Sequence, residues 1–117
     1  RIHPHGGYDA VAANRFGLEQ AQPLVHVTAD KNPDVKPVVA VDNRAVYVTV
    51  LKSTGKDNEM IVRLRSVSDK KETVALDFPA RRPSSVSLYT LEEQPGQAVE
   101  GALTMRPYGM ATLKLAF

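Results

Sequence analysis

The chain contains one adjacent acidic pair, Glu92-Glu93. Two carboxylates are what glycoside hydrolysis uses, one as acid and the other as base or nucleophile. Neighbours on a strand project to opposite faces, however, so this pair cannot flank one bond, and a capping, turn or interface role is expected of it. A second candidate is His3 with His5, two residues apart on an extended segment near Asp9. Both imidazoles would face the same way, yet zinc needs a third and a fourth donor, and no histidine-rich or paired-carboxylate segment supplies them. His26 alternates with Val25 and Val27, as an outward residue of a strand would. No catalytic, cofactor-binding or metal-binding residue is therefore expected.

Two further groups suit binding more than catalysis. Arg81-Arg82-Pro83-Ser84-Ser85 is a basic turn able to meet an acidic partner or a sugar, and loops carry function more often than cores do. Tyr8, Tyr47, Tyr89 and Tyr108 can stack on a sugar ring, although the chain has no tryptophan to form the usual flat platform. Nucleophile elbows, phosphate-cradling glycine loops and metalloprotease helices are all absent from the sequence.

The elements that must position these residues are mostly strands. Between His5 and Gln22 the pattern predicts a helix, with Asp9 as N-cap after Gly6-Gly7 and with Tyr8, Val11, Ala12, Phe16 and Glu19 near one face. Leu24–Thr28 reads as a short strand, and the stretch from Asp30 to Asp34 as a turn. Strands follow at Val46–Leu51, Met60–Arg65, Thr73–Phe78, Val86–Tyr89, Gly101–Met105 and Met110–Leu115. A polar loop from Ser53 to Asn58 makes the first two a hairpin. Inward residues are Val62 and Leu64, then Val74, Leu76 and Phe78, then Leu113, Leu115 and Phe117, while Arg63 and Arg65 face outward. The expected fold is mainly β: an antiparallel two-sheet β-sandwich with a short N-terminal helix. It forms a single domain over 1–117, with a helical appendage at 1–23 and strands at 24–117.

Composition sets the remaining bounds. At 117 residues, 43% apolar and 24% charged, the chain suits one globular core and is short for a catalytic domain plus an accessory one. Its formal net charge is +2 with the basic residues dispersed, so nucleic acid is not an expected partner. No apolar run approaches the roughly 20 residues of a membrane-spanning helix, so no membrane partner is expected either. With no cysteine, disulfides and thiolate metal sites are ruled out, and exported and cytoplasmic locations are equally compatible. The opening Arg1-Ile2-His3-Pro4 reads as part of a longer polypeptide.

An ordered series of short motifs narrows the reading. Pro4-His5-Gly6-Gly7-Tyr8, a helical stretch, and Gln20-Ala21-Gln22-Pro23-Leu24 resemble a segment of the C-terminal half of the class II α-mannosidases, glycoside hydrolase family 38. The resemblance continues through Val50-Leu51-Lys52, Ile61-Val62-Arg63-Leu64, the Leu91-Glu92-Glu93 turn, Arg106-Pro107-Tyr108 and Thr112-Leu113-Lys114-Leu115. It implies a parent enzyme that hydrolyses α-mannosides by a retaining, zinc-assisted mechanism. The family's zinc and catalytic aspartates sit in a separate N-terminal domain, so His3 and His5 do not inherit a zinc role.

What the resemblance implies for this piece is a non-catalytic accessory domain. It would pack on the catalytic and helical-bundle domains of the same parent chain, stabilise the enzyme and help shape the rim of its mannoside site. Interface or sugar-rim contacts are expected at His5, Tyr8, Arg81, Arg82, Glu92, Glu93 and Tyr108. The alternatives are an independent carbohydrate-binding module and an immunoglobulin-like structural spacer.

Overall fold

The structure, a computed structural model, describes residues 2, 4–22, 26, 28, 30–31 and 34–117. It divides into two compact units, Arg1–Val35 and Lys36–Phe117.

In the first unit, helix α1 spans Ala10–Ala21. Asp9 starts it from an extended conformation, and its Oδ1 accepts the N–H groups of Val11 at 2.9 Å and Ala12 at 3.1 Å. Those amides have no partner within the helix, which is why an aspartate at this position contributes about 1 kcal/mol. Arg15 and Glu19 pair at 3.0 Å along the exposed surface, which adds about 0.3–0.5 kcal/mol. Val11 and Phe16 are half-buried, and no residue of the helix is fully buried. Leu24, Val25 and Val27 of the expected strand lie outside the described residues, and His26 and Thr28 belong to no strand.

The second unit is all β. Strands β1 (Ala40–Val41), β2 (Val46–Ser53), β3 (Glu59–Ser66), β4 (Glu72–Val74) and β5 (Leu76–Asp77) are followed by β6 (Ser85–Tyr89), β7 (Pro95–Ala98), β8 (Leu103–Met105) and β9 (Met110–Ala116). An antiparallel five-stranded sheet has the order β2-β3-β9-β6-β7. Val62 and Leu64 of β3 face Leu113 and Leu115 of β9 across one side of this sheet, all four fully buried. Each contributes about 1.5–3 kcal/mol by leaving water.

The opposing layer consists of the ladders β1-β5 and β4-β8. Val74 and Met105 from it are buried against the large sheet, with Leu76, Phe78 and Leu103 packed beside them. The stretch 73–78, expected as one strand, is instead two strands interrupted at Ala75. Val74 pairs with Leu103 of β8, whereas Leu76 pairs with Val41 of β1. Asp42 holds the break: its carboxylate accepts the Ala75 N–H at 2.9 Å, and its own N–H donates to the Ala75 carbonyl at 3.4 Å. The inward alternation of Val74, Leu76 and Phe78 survives the change of partner.

The strand expected at Gly101–Met105 begins only at Leu103, because Gly101 takes the left-handed conformation at φ +76° and turns the chain away. Strand β7, with sequence PGQA, is an exposed edge that strand propensity does not reveal. It forms by pairing with β6, and Gly96 permits the approach: a Cβ there would lie 2.5 Å from the Leu88 carbonyl oxygen.

Candidate functional site

β5 pairs with β1 alone, and beside it, where Gly101 diverts the chain, a cleft of about 640 Å³ opens. Val74 is the last residue of this stretch to pair with β8. Beyond it the two backbones separate, Leu76 to Phe78 forming one wall and Val99 to Gly101 the other. Leu76, Phe78, Pro83, Val86 and Val99 supply apolar surface, each only partly buried. Asp77, Arg82, Ser84, Ser85 and Glu100 supply polar groups, all exposed.

Asp77 Oδ1 accepts the Phe78 N–H at 2.9 Å, and the Ser84 hydroxyl donates to the Ala116 carbonyl at 2.9 Å. Asp77 and Glu100 share this cleft, but both are open to water. Exposed carboxylates beside apolar surface can hydrogen-bond a ligand that lies in the cleft.

A second constellation lies on the outer face of the large sheet. The turn between β6 and β7 folds across the strands, and Glu93, at φ +63°, reaches Lys52 of β2 at 2.6 Å and Arg63 of β3 at 3.8 Å. Arg63 also donates through Nη2 to the Leu91 carbonyl at 3.1 Å and through Nε to Thr112 Oγ1 at 3.3 Å. Next to it Lys114 pairs with Glu59 at 2.7 Å and stands 5.7 Å from the centre of the Tyr89 ring. The Lys114 hydrogen bond holds the Glu59 carboxyl below its ordinary range, and in return it raises Lys114. Under this lattice Ile61 is 2% exposed and Thr112 1%. A separate pair, Asn43 and Glu72, bonds at 2.7 Å, and hydrogen bonds from Ser68 and then Asn43 lower the Glu72 carboxyl.

The sequence candidates are thus dispersed. Glu92 and Glu93 lie on the β6–β7 connection and not on a strand, which corrects the geometric ground for separating them. They still diverge, Glu92 standing exposed while Glu93 turns back onto the sheet. Arg81 and Arg82 part likewise: Arg81 donates to Asn58 Oδ1 at 3.2 Å and lies 5.3 Å from the Phe117 ring centre, whereas Arg82 lines the cleft.

Tyr108 is 64% exposed in the β8–β9 turn at φ +51°, its N–H donating to the Ser68 carbonyl at 2.9 Å. His5 and Tyr8 line a small hollow of about 190 Å³ on the N-terminal unit, with Asp9 and Phe16 beside them. His3 lies outside the described residues, and among these no group of three or more His, Cys, Asp or Glu residues could hold a metal. Sequence reasoning missed Asp77 and Glu100, which are brought together only by the fork at Gly101, and it missed Lys52 and Arg63 as the partners of Glu93. No helix among the described residues is long and apolar enough to cross a membrane.

The family model described as "Glycosyl hydrolases family 38 C-terminal beta sandwich domain" matches residues 45–113, from just before β2 into β9. No curated protein and no solved structure is significantly similar to the chain.

Proposed function

The chain belongs to the glycosyl hydrolase family 38 C-terminal β-sandwich domains, and from that premise we propose that it is a non-catalytic accessory domain of a larger α-mannosidase-type enzyme. The observation that carries this reading is the extent of the match, which takes in strands β2 to β8 whole and most of β9. Its role is to stabilise the parent by packing on the catalytic and helical-bundle domains, and to contribute to the rim of the mannoside site. The divergence of Glu92 from Glu93 supports the absence of bond-breaking chemistry in this piece.

The zinc and the retaining mechanism that the resemblance implies belong, in this proposal, to the parent's catalytic domain. Among the described residues no group of three or more His, Cys, Asp or Glu could hold a metal.

Two measurements test the reading. The purified 117-residue chain should hydrolyse an aryl α-mannoside no faster than background. A parent enzyme deleted of these residues should unfold at lower temperature than the intact enzyme. Turnover well above background by the isolated chain would overturn the non-catalytic assignment, and an unchanged unfolding temperature would overturn the stabilising role.

A further inference from the structure

We infer that the cleft between β5 and the β7–β8 connection binds a neutral oligosaccharide, independently of any active site in the parent. The inference rests on the accessory-domain reading only for the choice of mannosides as first ligands. Its own basis is the lining of the cleft.

At about 640 Å³ the cleft falls within the roughly 300–1,000 Å³ typical of small-ligand sites, and its lining mixes apolar and polar surface in nearly equal parts, more polar than most such sites. A pyranose ring matches that combination, having an apolar C–H face and an edge of hydroxyls that both donate and accept. Phe78 and Val86 offer surface for the face. For the edge, Arg82 and Ser85 donate, while Glu100 and the second oxygen of Asp77 accept.

The charges indicate the class of sugar. Arg82, Asp77 and Glu100 line one cleft, yet among the described residues Arg82 forms no ion pair with either carboxylate. The cleft groups therefore keep their hydrogen-bonding capacity for a ligand. Two carboxylates against one guanidinium also disfavour uronates and sugar phosphates relative to neutral sugars.

The test is a titration of the ¹⁵N-labelled 117-residue chain, followed by amide chemical shifts, with mannotriose, cellotriose and trigalacturonate. Saturable shifts with a neutral trisaccharide, centred on Leu76–Phe78 and Val99–Gly101, are expected, with none from trigalacturonate. Glu100→Gln and Arg82→Ala, both exposed and therefore compatible with the fold, should each weaken binding about tenfold or more, the size of one lost charge-assisted hydrogen bond.

The inference is overturned by any of three results: no shift with either neutral sugar at millimolar concentration, shifts confined to the Tyr108 turn, or affinity unchanged in both variants. Because the readout is binding by the isolated chain, each of these would leave the accessory-domain proposal to its own activity and stability tests.

Discussion

The two faces of the five-stranded sheet bury their residues by different means. On the inner face, Val62, Leu64, Leu113 and Leu115 meet aliphatic side chains of an opposing layer. On the outer face, Ile61 and Thr112 are as deeply buried, although the other β-strands of this unit form their layer on the opposite side of the sheet. The cross-strand neighbours of Ile61 are Lys52 and Lys114, and those of Thr112 are Arg63 and Tyr89. The charged ends of Lys52, Arg63 and Lys114 pair with Glu93 and Glu59, and side chains of this kind can cover apolar surface with their methylene stems. One face is thus closed by apolar packing, whose strength is nearly independent of pH and is not weakened by charge screening. The other is closed by ion pairs, whose strength depends on both.

Variants that set the two faces against each other make this contrast testable. The largest effect is expected on the inner face: Leu64→Ala should lower unfolding stability by about 2–5 kcal/mol in a denaturant titration, since both transfer energy and cavity cost apply to a fully buried leucine. A loss below about 1 kcal/mol would mean that the opposing layer collapses into the space and does not specify the core.

At the sheet edge, Gly96→Ala should cost about 1–3 kcal/mol, because the new methyl would press on the Leu88 carbonyl oxygen and loosen β7 from β6. Faster hydrogen exchange confined to β6 and β7 would show the same defect locally.

On the outer face, Glu93→Ala should lose about 0.5–1 kcal/mol, the range of partly exposed ion pairs, and the loss should shrink in high salt. Glu93→Gly should be less harmful than Glu93→Ala, since glycine relieves the cost of the φ of +63° while alanine keeps it. The reverse order of the two variants would show that the turn is held by something other than this residue's backbone.

The smallest effect concerns pH. Glu59 sits below its ordinary value near 4.5 when folded, so its contribution is present above that value and is lost as pH falls through the lowered folded value. Lys114 sits above its ordinary value near 10.5, so its contribution is complete below that value and fades as pH rises through the raised folded one. Thermal unfolding of Glu59→Gln should therefore match that of the unmodified chain most closely at the acid end and fall furthest below it near neutrality. A constant offset at every pH would separate the stability effect from the Glu59–Lys114 pair.

Much of the architecture is legible in the residue pattern. Alternation at Met60–Arg65 and Met110–Leu115 marks strands with one buried face, since a period of two in side-chain polarity has little other use. Asp9 marks the start of α1 because its carboxylate satisfies amides that the helix cannot. The pattern fails where a neighbour decides. Residues 73–78 carry one uninterrupted alternation yet serve two partner strands, because Asp42, more than thirty residues earlier, takes the Ala75 backbone. Strand β7 has the composition of a turn and becomes a strand only because β6 offers a free edge.

The same division holds for function. Sequence alone determined the mainly β character, the helix start, and a family resemblance that the match over 45–113 establishes, because these depend on local periodicity and on motifs in order along the chain. Tertiary structure decided that Glu93 clamps Lys52 and Arg63, that Arg81 and Arg82 part company, and that Asp77 and Glu100 face one cleft. Those placements rest on strand order, on a left-handed glycine at 101 and on a turn folded over a sheet. Each is a long-range consequence of packing that no short window of residues encodes.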